Sequence, residues 1–299
     1  MSLRRPFLMS TLAIVSMTAC SDPLALEQLI EEPRVLGARA YLVDDPTQST
    51  PQPGERLQIE WLVVGPSGVL EVTALERACW SAPTARGIPE CEGEPFSSDR
   101  RETSAPLPTF FVDVPEPDSN ADVLLLEAAF CPSGSPEIAE WPDQIDCGSQ
   151  DSALGAMLAL PTDEDPPNLR PDLSQASLSF DDLPWNPLNT ENPCDPDSID
   201  PQVDLDTTNH RIELQLPADA RESVDGRIET LEITQTATLG ELERPRSFIE
   251  ADDTELKDAL TWTPPKIGLE GPTTVHFFFV VHDQRGGVDW MQRSLCVRP

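Results

Sequence analysis

From residue 34 onward the chain is written in short alternating runs, separated by proline, glycine and acidic residues. Arg34 to Val43 alternates, and Gly54 to Val64 places Leu57, Ile59, Trp61 and Val63 on one face. A period of two marks a half-buried strand. Gly65-Pro-Ser-Gly68 is a turn, and further strands are expected at Val69–Trp80, Phe110–Val114, Val123–Cys131 and Ala153–Leu160. The second half uses the same grammar. Leu178 and Phe180 alternate, as do Ile212, Leu214 and Leu216, and strands are expected at Ile228–Thr238 and Ala259–Trp262. The longest apolar run is Thr273–Asp283; Gln284-Arg-Gly-Gly287 is a hairpin turn, and Val288–Val297 returns beside it. No long helix is expected. Asp253 to Ala259 is the one place for a single helical turn.

This pattern predicts an all-β chain of two immunoglobulin-like β-sandwich domains, at 34–160 and 174–299. Between them, 161–173 begins Pro-Thr-Asp-Glu-Asp-Pro-Pro and reads as an acidic, proline-rich linker. The two halves share a pattern but no strict sequence repeat. The chain has 32 Pro among 299 residues, which suits short strands and many turns.

The N-terminus follows different rules. Arg4 and Arg5 precede a run of about a dozen mostly apolar residues. That is too short for a bilayer core of about 30 Å, and it has the form of an export signal. Met17-Thr18-Ala19-Cys20 resembles the lipobox of bacterial lipoproteins, with Met17 where Leu is usual. The resemblance implies a signal peptide at 1–19 and lipidation of Cys20, with 20–33 as the lipidated start and tether. Several acyl chains on one residue hold a bilayer stably, whereas one does so marginally. Ser21 follows the cysteine, without the retention Asp, which favours the outer membrane.

Cleavage after Ala19 would change the net charge from −33 to −35, because the signal holds two Arg and no acid. Such a surface excludes nucleic acid as a partner. Six Cys remain beyond Cys20, and an even count in an exported chain reads as disulfides. Connectivity stays open, with Cys79–Cys91, Cys131–Cys147 and Cys194–Cys296 preferred. There is no CxxC to suggest zinc.

Two stretches carry a family resemblance. One is Pro33-Arg-Val-Leu-Gly-Ala-Arg-Ala40 leading to Pro53-Gly-Glu55. The other is Trp262-Thr-Pro-Pro265 with the closing Val280-Val-His-Asp-Gln-Arg-Gly-Gly-Val-Asp-Trp290. They resemble predicted lipoproteins of myxobacteria and their relatives, and the ending resembles the last hairpin of PKD or cadherin-like domains. The resemblance implies a fold and an envelope location, and no chemistry.

Candidate chemistry is sparse. His276 and His282 share a strand face but lie roughly 20 Å apart along it, too far for one metal. His210 has no evident partner. There is no Gly-x-Ser-x-Gly elbow and no Ser-x-x-Lys. Carboxylates number 53, so adjacent acids carry little information. Asp195, Asp197 and Asp200 sit in one loop and form the only calcium candidate, without EF-hand spacing. Trp61 and Trp262 lie in strand patterns. Trp80, Trp141, Trp185 and Trp290 lie near loop ends, and Trp141 and Trp185 are the ligand-stacking candidates.

The expected function is a lipid-anchored, non-enzymatic binding, adhesion or structural role at the cell envelope, with no cofactor. Its partners would be the bilayer, through acylated Cys20, and an envelope protein or glycan. The alternative is an envelope hydrolase or a carbohydrate-binding protein using the loop tryptophans.

Overall fold

In the computed structural model the described residues are 27–81, 89–102, 107–117, 121–141, 144–148, 152–162, 166–186, 192–205, 208–266 and 268–299. The signal segment 1–19 and Cys20 lie outside them.

Ten strands come from the first half. They are β1 (Arg34–Leu42), β2 (Arg56–Gly65), β3 (Gly68–Val69), β4 (Thr73–Ser81), β5 (Ser97–Glu102), β6 (Thr109–Asp113), β7 (Val123–Cys131), β8 (Glu137–Glu140), β9 (Gln144–Asp146) and β10 (Leu154–Pro161). One sheet runs β1-β2-β3 with β6 also on β2, and the facing sheet runs β10-β7-β4-β5. Inward side chains of both sheets meet in a core that joins Leu57, Ile59, Trp61 and Val63 to Phe110, Leu124, Leu126 and Phe130.

The second half adds β11 (Ser177–Phe180), β12 (Leu183–Pro184), β13 (Gln202–Asp204), β14 (His210–Gln215), β15 (Ser223–Val224), β16 (Arg227–Ile228), β17 (Leu231–Ala237), β18 (Glu241–Leu242), β19 (Arg246–Ile249), β20 (Lys257–Thr263), β21 (Thr273–His282) and β22 (Val288–Arg298). Its sheets are β12-β11-β14-β20-β18 and β13-β22-β21-β17-β19. The core between them is aromatic, with Phe180, Trp185, Trp262, Phe277 and Phe279. The chain is therefore all-β, with two immunoglobulin-like sandwiches, and the strands β10-β7-β4-β5 and β22-β21-β17-β19 run in the same order.

The helical turn expected at 253–259 is absent. Lys257–Thr263 is strand β20, held against β14, and the one short helix described is a 3-10 turn at Ala218–Ala220.

The two sandwiches are stacked face on face. Leu62 and Val64 on the outer face of β2 meet Phe278 and Val280 on the outer face of β21, together with Ile30 and Val288. Strands buried on both faces carry continuous apolar runs, which is why Trp-Leu-Val-Val and Phe-Phe-Phe-Val-Val do not alternate. Polar residues bolt the edge of this contact. Arg39 reaches Asp289 at 2.6 Å, Arg170 reaches the other oxygen of Asp289 at 3.1 Å, and the guanidinium of Arg39 lies over Trp290.

Two segments expected as flexible are built into this contact. Leu29 bridges Ala237, Ile30 is 1% exposed, and Arg34 donates to the carbonyls of Glu27 and Leu29. Within 161–173, Asn168 is fully buried and donates to Ser49 and to Asp283, and Gln48 bridges Leu169. Acid and proline content signalled a linker, yet the buried Nδ2 donors of Asn168 find their acceptors by packing against both sandwiches. Asp283 in turn accepts from the backbone of Arg285 and Gly287. Gly287 is required for space, since a Cβ there would collide with the Asp283 carboxylate.

Candidate functional site

One concave surface belongs to the first sandwich alone. It is a groove of about 660 Å³ on the outer face of the β10-β7-β4 sheet. That volume lies within the range of small-ligand sites. Its floor is the ion pair of Arg77 on β4 and Glu127 on β7, 2.6 Å apart. Glu127 is 4% exposed, so its charge is held only because the guanidinium is there.

Both walls are disulfide loops. Cys79–Cys91 anchors the segment that brings Pro89, Glu90, Gly93, Glu94 and Pro95 to one side. Cys131–Cys147 closes the loop that contains the β8–β9 hairpin, and Trp141 sits at the tip of that hairpin. Trp141 and Ile145 lie directly over Gly155 of β10, where an added Cβ would meet Ile145 at 2.8 Å and Trp141 at 3.2 Å. Glycine at this strand position thus lets the hairpin settle on the sheet, and Met157 remains exposed beside it. The third disulfide, Cys194–Cys296, ties the loop before β13 to β22 in the second sandwich.

Trp141 is half-buried and lines the groove. Trp185 does not serve as a ligand-stacking residue. It is 2% exposed, donates its indole N–H to the carbonyl of Ser294, and packs edge-on against Phe180 and Phe277. Its flanking prolines suggested a loop end, but the chain turns inward there and the aromatic core absorbs it. Trp80 is also buried, while Trp290 lies under Arg39.

The calcium candidate fails on geometry. Asp195 accepts from the backbone of Asp197, and Asp200 pairs with the hydroxyl of Ser198. Each carboxylate thus organises its own turn. Among the described residues, no three His, Cys, Asp or Glu side chains converge as a metal site.

The histidines are separated by role. His276 pairs through Nδ1 with Ser294 Oγ at 2.7 Å, but Ser294 is 1% exposed and Gly68 covers the ring. Burial lowers the pKa of this imidazole from its ordinary value. His282 is likewise lowered by burial, opposed by the charge of Glu232. His210 pairs with Asp181 at 2.7 Å and stacks on Phe180. Among the described residues, none of the three pairs with the hydroxyl of an exposed serine.

One buried acid was not anticipated. Glu76 points inward from β4, is 3% exposed, and accepts from the Trp61 indole at 2.6 Å. Burial pushes its pKa up to about 8, with the Trp61 hydrogen bond opposing. Its contact is with the core, and it lines neither the groove nor any opening beside it.

No protein-family model matches the chain, and no curated protein matches it in sequence. Among solved structures, the chain is similar to the adhesin InvE of Yersinia pseudotuberculosis at 8% identity and a TM-score of 0.22, covering 86% of this chain and 58% of that one. It is similar to alpha-2-macroglobulin of E. coli at 10% identity and a TM-score of 0.25, covering 89% and 17%. A third is the calcium-binding domain CBD12 of CALX1.1, at 9% identity and a TM-score of 0.20, covering 80% and 79%. The chain thus spans 58% of the adhesin's length and 17% of the macroglobulin's. At these scores the likenesses add nothing to the fold that the sheets themselves display.

Proposed function

We propose that the chain is an envelope lipoprotein, held to the outer membrane through acylated Cys20, with a non-catalytic role in binding a protein or glycan partner. The lipobox-like Met17-Thr18-Ala19-Cys20 supports the anchor. The binding role is carried by one observation: two disulfide loops hold Trp141 and an acidic wall over a groove whose floor is a nearly dry ion pair. Rigid walls lower the entropy cost of recognition, and a half-buried indole offers apolar area at a fixed place. Loops on a rigid scaffold are where binding residues concentrate.

Affinity capture from intact envelopes tests this, with the wild-type chain and Trp141→Ala as baits. The expected result is a partner set bound by the wild type and reduced at least about tenfold in Trp141→Ala, with unchanged thermal stability. Equal capture by both baits would remove the groove from the function. Palmitate labelling that is unaffected by Cys20→Ser would remove the anchor.

A further inference from the structure

We infer that the free edge of β10 is a receptor for an extended partner segment, which adds to the first sandwich as a strand parallel to β10. The ground for this is inside the molecule. The sheet β10-β7-β4-β5 of the first sandwich and the strands β22-β21-β17-β19 of the second share an order that begins with the last strand of each. In the second, β22 carries β13 along its outer edge, in parallel, with Gln202 opposite Cys296, Val203 opposite Val297 and Asp204 opposite Arg298. Backbone bonds from Leu205 to Arg298 and from Cys296 to Pro201 continue the pairing, and Cys194–Cys296 pins it. Val203 enters the core, and Leu295 and Val297 are fully buried.

In the first sandwich, β10 pairs with β7 on one side and, among the described residues, with no strand on the other. Its inward side chains Leu154, Ala156 and Leu158 are left only partly buried. With Val35, Ala38 and Trp61 they line a slot of about 710 Å³ between β10 and β1, one wall of which is the Gln284–Gly287 turn of the second sandwich. The chain between β1 and β2, which corresponds in order to the segment that supplies β13, is committed elsewhere: Gln48 bridges Leu169, and Ser49 and Thr50 bind Asn168. So the slot that β13 fills in one sandwich has no such strand in the other.

Beyond Leu160 and Pro161, which the Gln284–Gly287 turn meets, the edge carries little protection of its own. Leu-Gly-Ala-Met-Leu-Ala-Leu-Pro has no charge and no bulge against β7. Natural sheets protect exposed edges with charge, bulges or cover, and an unprotected edge is a template for strand addition. Charge complementarity narrows the occupant. Side chains of an added strand alternate between the slot and the outer face. The slot offers apolar groups Val35, Ala38, Trp61, Leu154, Ala156 and Leu158, with Arg34, His282 and Gln284 also in its lining. The outer face adjoins exposed Glu90 and Glu94 on a chain of net charge −33. The occupant is therefore an extended segment of alternating apolar and basic residues.

Hydrogen exchange of the full chain in detergent tests this, with a peptide of about ten residues alternating valine and lysine as the probe. The expected result is saturable binding that slows exchange at residues 154–158, with about tenfold weaker binding for an alternating valine and glutamate peptide and for a blocked arrangement of the same valines and lysines. Ala156→Lys places a charge in the slot and should abolish the protection. The wild-type exchange decides the matter by itself should that variant not fold. Failure of the probe to protect 154–158 overturns the inference. So does protection that rises with protein concentration alone, which would mean a second copy pairs there. Protection already present, and lost on deleting residues 21–26, would mean the edge is filled in cis and also overturns it. Trp141→Ala leaves the slot intact, so loss of the groove reading and loss of this one are distinguishable.

Discussion

Two buried acids, Asp258 in the second sandwich and Glu76 in the first, are handled in opposite ways. In the second, Asp258 is 8% exposed and fully served: Arg244 meets one oxygen at 2.7 Å, while Gln235 and the Ser247 hydroxyl meet the other, each at 2.7 Å. In the first, Glu76 is more deeply buried and has the Trp61 indole as its hydrogen-bond donor, with no cation beside it. A buried charge with several charge-assisted donors stays tolerable, whereas one with a single neutral donor takes up a proton instead. The cores differ to match. The second is built on aromatics packed edge-on, the first on alanines and medium aliphatic side chains around Trp61 and Phe130. The sandwich with the aromatic core also closes its last strand with a long-range disulfide. The other spends its two disulfides on surface loops.

The largest expected effect breaks this contrast at the cystines. Replacing Cys194 and Cys296 by Ala opens a loop of 102 residues and should cost about 4–5 kcal/mol. The same change at Cys79 and Cys91 opens 12 residues and should cost about 3 kcal/mol. Denaturant unfolding followed by tryptophan fluorescence separates the two. A second-sandwich variant no worse than the first-sandwich one would show that loop closure is not what these bonds contribute.

The next effect tests whether the sandwiches are one unit. Asp289 is 4% exposed and serves Arg39, Arg170 and the backbone of Leu173. Asp289→Ala removes the acceptor of Arg39 Nη1 and of the Leu173 backbone and the charge facing Arg170, leaving Glu60 to Arg39, at a cost of about 3 kcal/mol. Because these groups come from both sandwiches and the segment between them, wild type should unfold in one transition and Asp289→Ala in two. A single sharp transition in the variant would assign the coupling to Leu62, Val64, Phe278 and Val280 alone.

These contacts show what the sequence could reveal. Strands with one buried face announce themselves by alternation, and Leu57, Ile59, Trp61 and Val63 all point inward as that alternation requires. Ser97–Glu102 is entirely polar, and Gln202–Asp204 is three residues long. Both are strands because a neighbouring backbone offers hydrogen bonds, which leaves no hydrophobic trace. The doubly apolar runs at 61–64 and 277–281 did carry a signal of burial on two faces, but not the identity of what covers the second. The groove was legible only as Trp141 near a cysteine, because its walls exist through cystine pairing and through Gly155. Trp185 looked the same in sequence and went to the core.

The smallest expected effect sharpens the contrast between Asp258 and Glu76. Glu76 keeps its proton to about pH 8 when folded, and releases it near its ordinary 4.5 when unfolded. Between those values the folded state binds the extra proton, so stability falls as pH rises and levels off above about 8. The slope approaches on the order of 1 kcal/mol per pH unit. Other shifted groups act lower. Asp283, raised to about 6, weakens the fold over pH 3.8 to 6 as pH rises. His276 and His282, lowered from 6.5 by burial, weaken it as pH falls below that value. The window from pH 6.5 to 8 therefore isolates Glu76 among them. Glu76→Gln keeps a neutral acceptor for the Trp61 indole and has no proton to lose. Melting curves across this window should decline for wild type and stay flat for Glu76→Gln, with the variant the more stable at pH 8. A variant that declines as steeply as wild type would mean that water or a cation reaches the Glu76 carboxylate. Asp258 and Glu76 would then be handled alike.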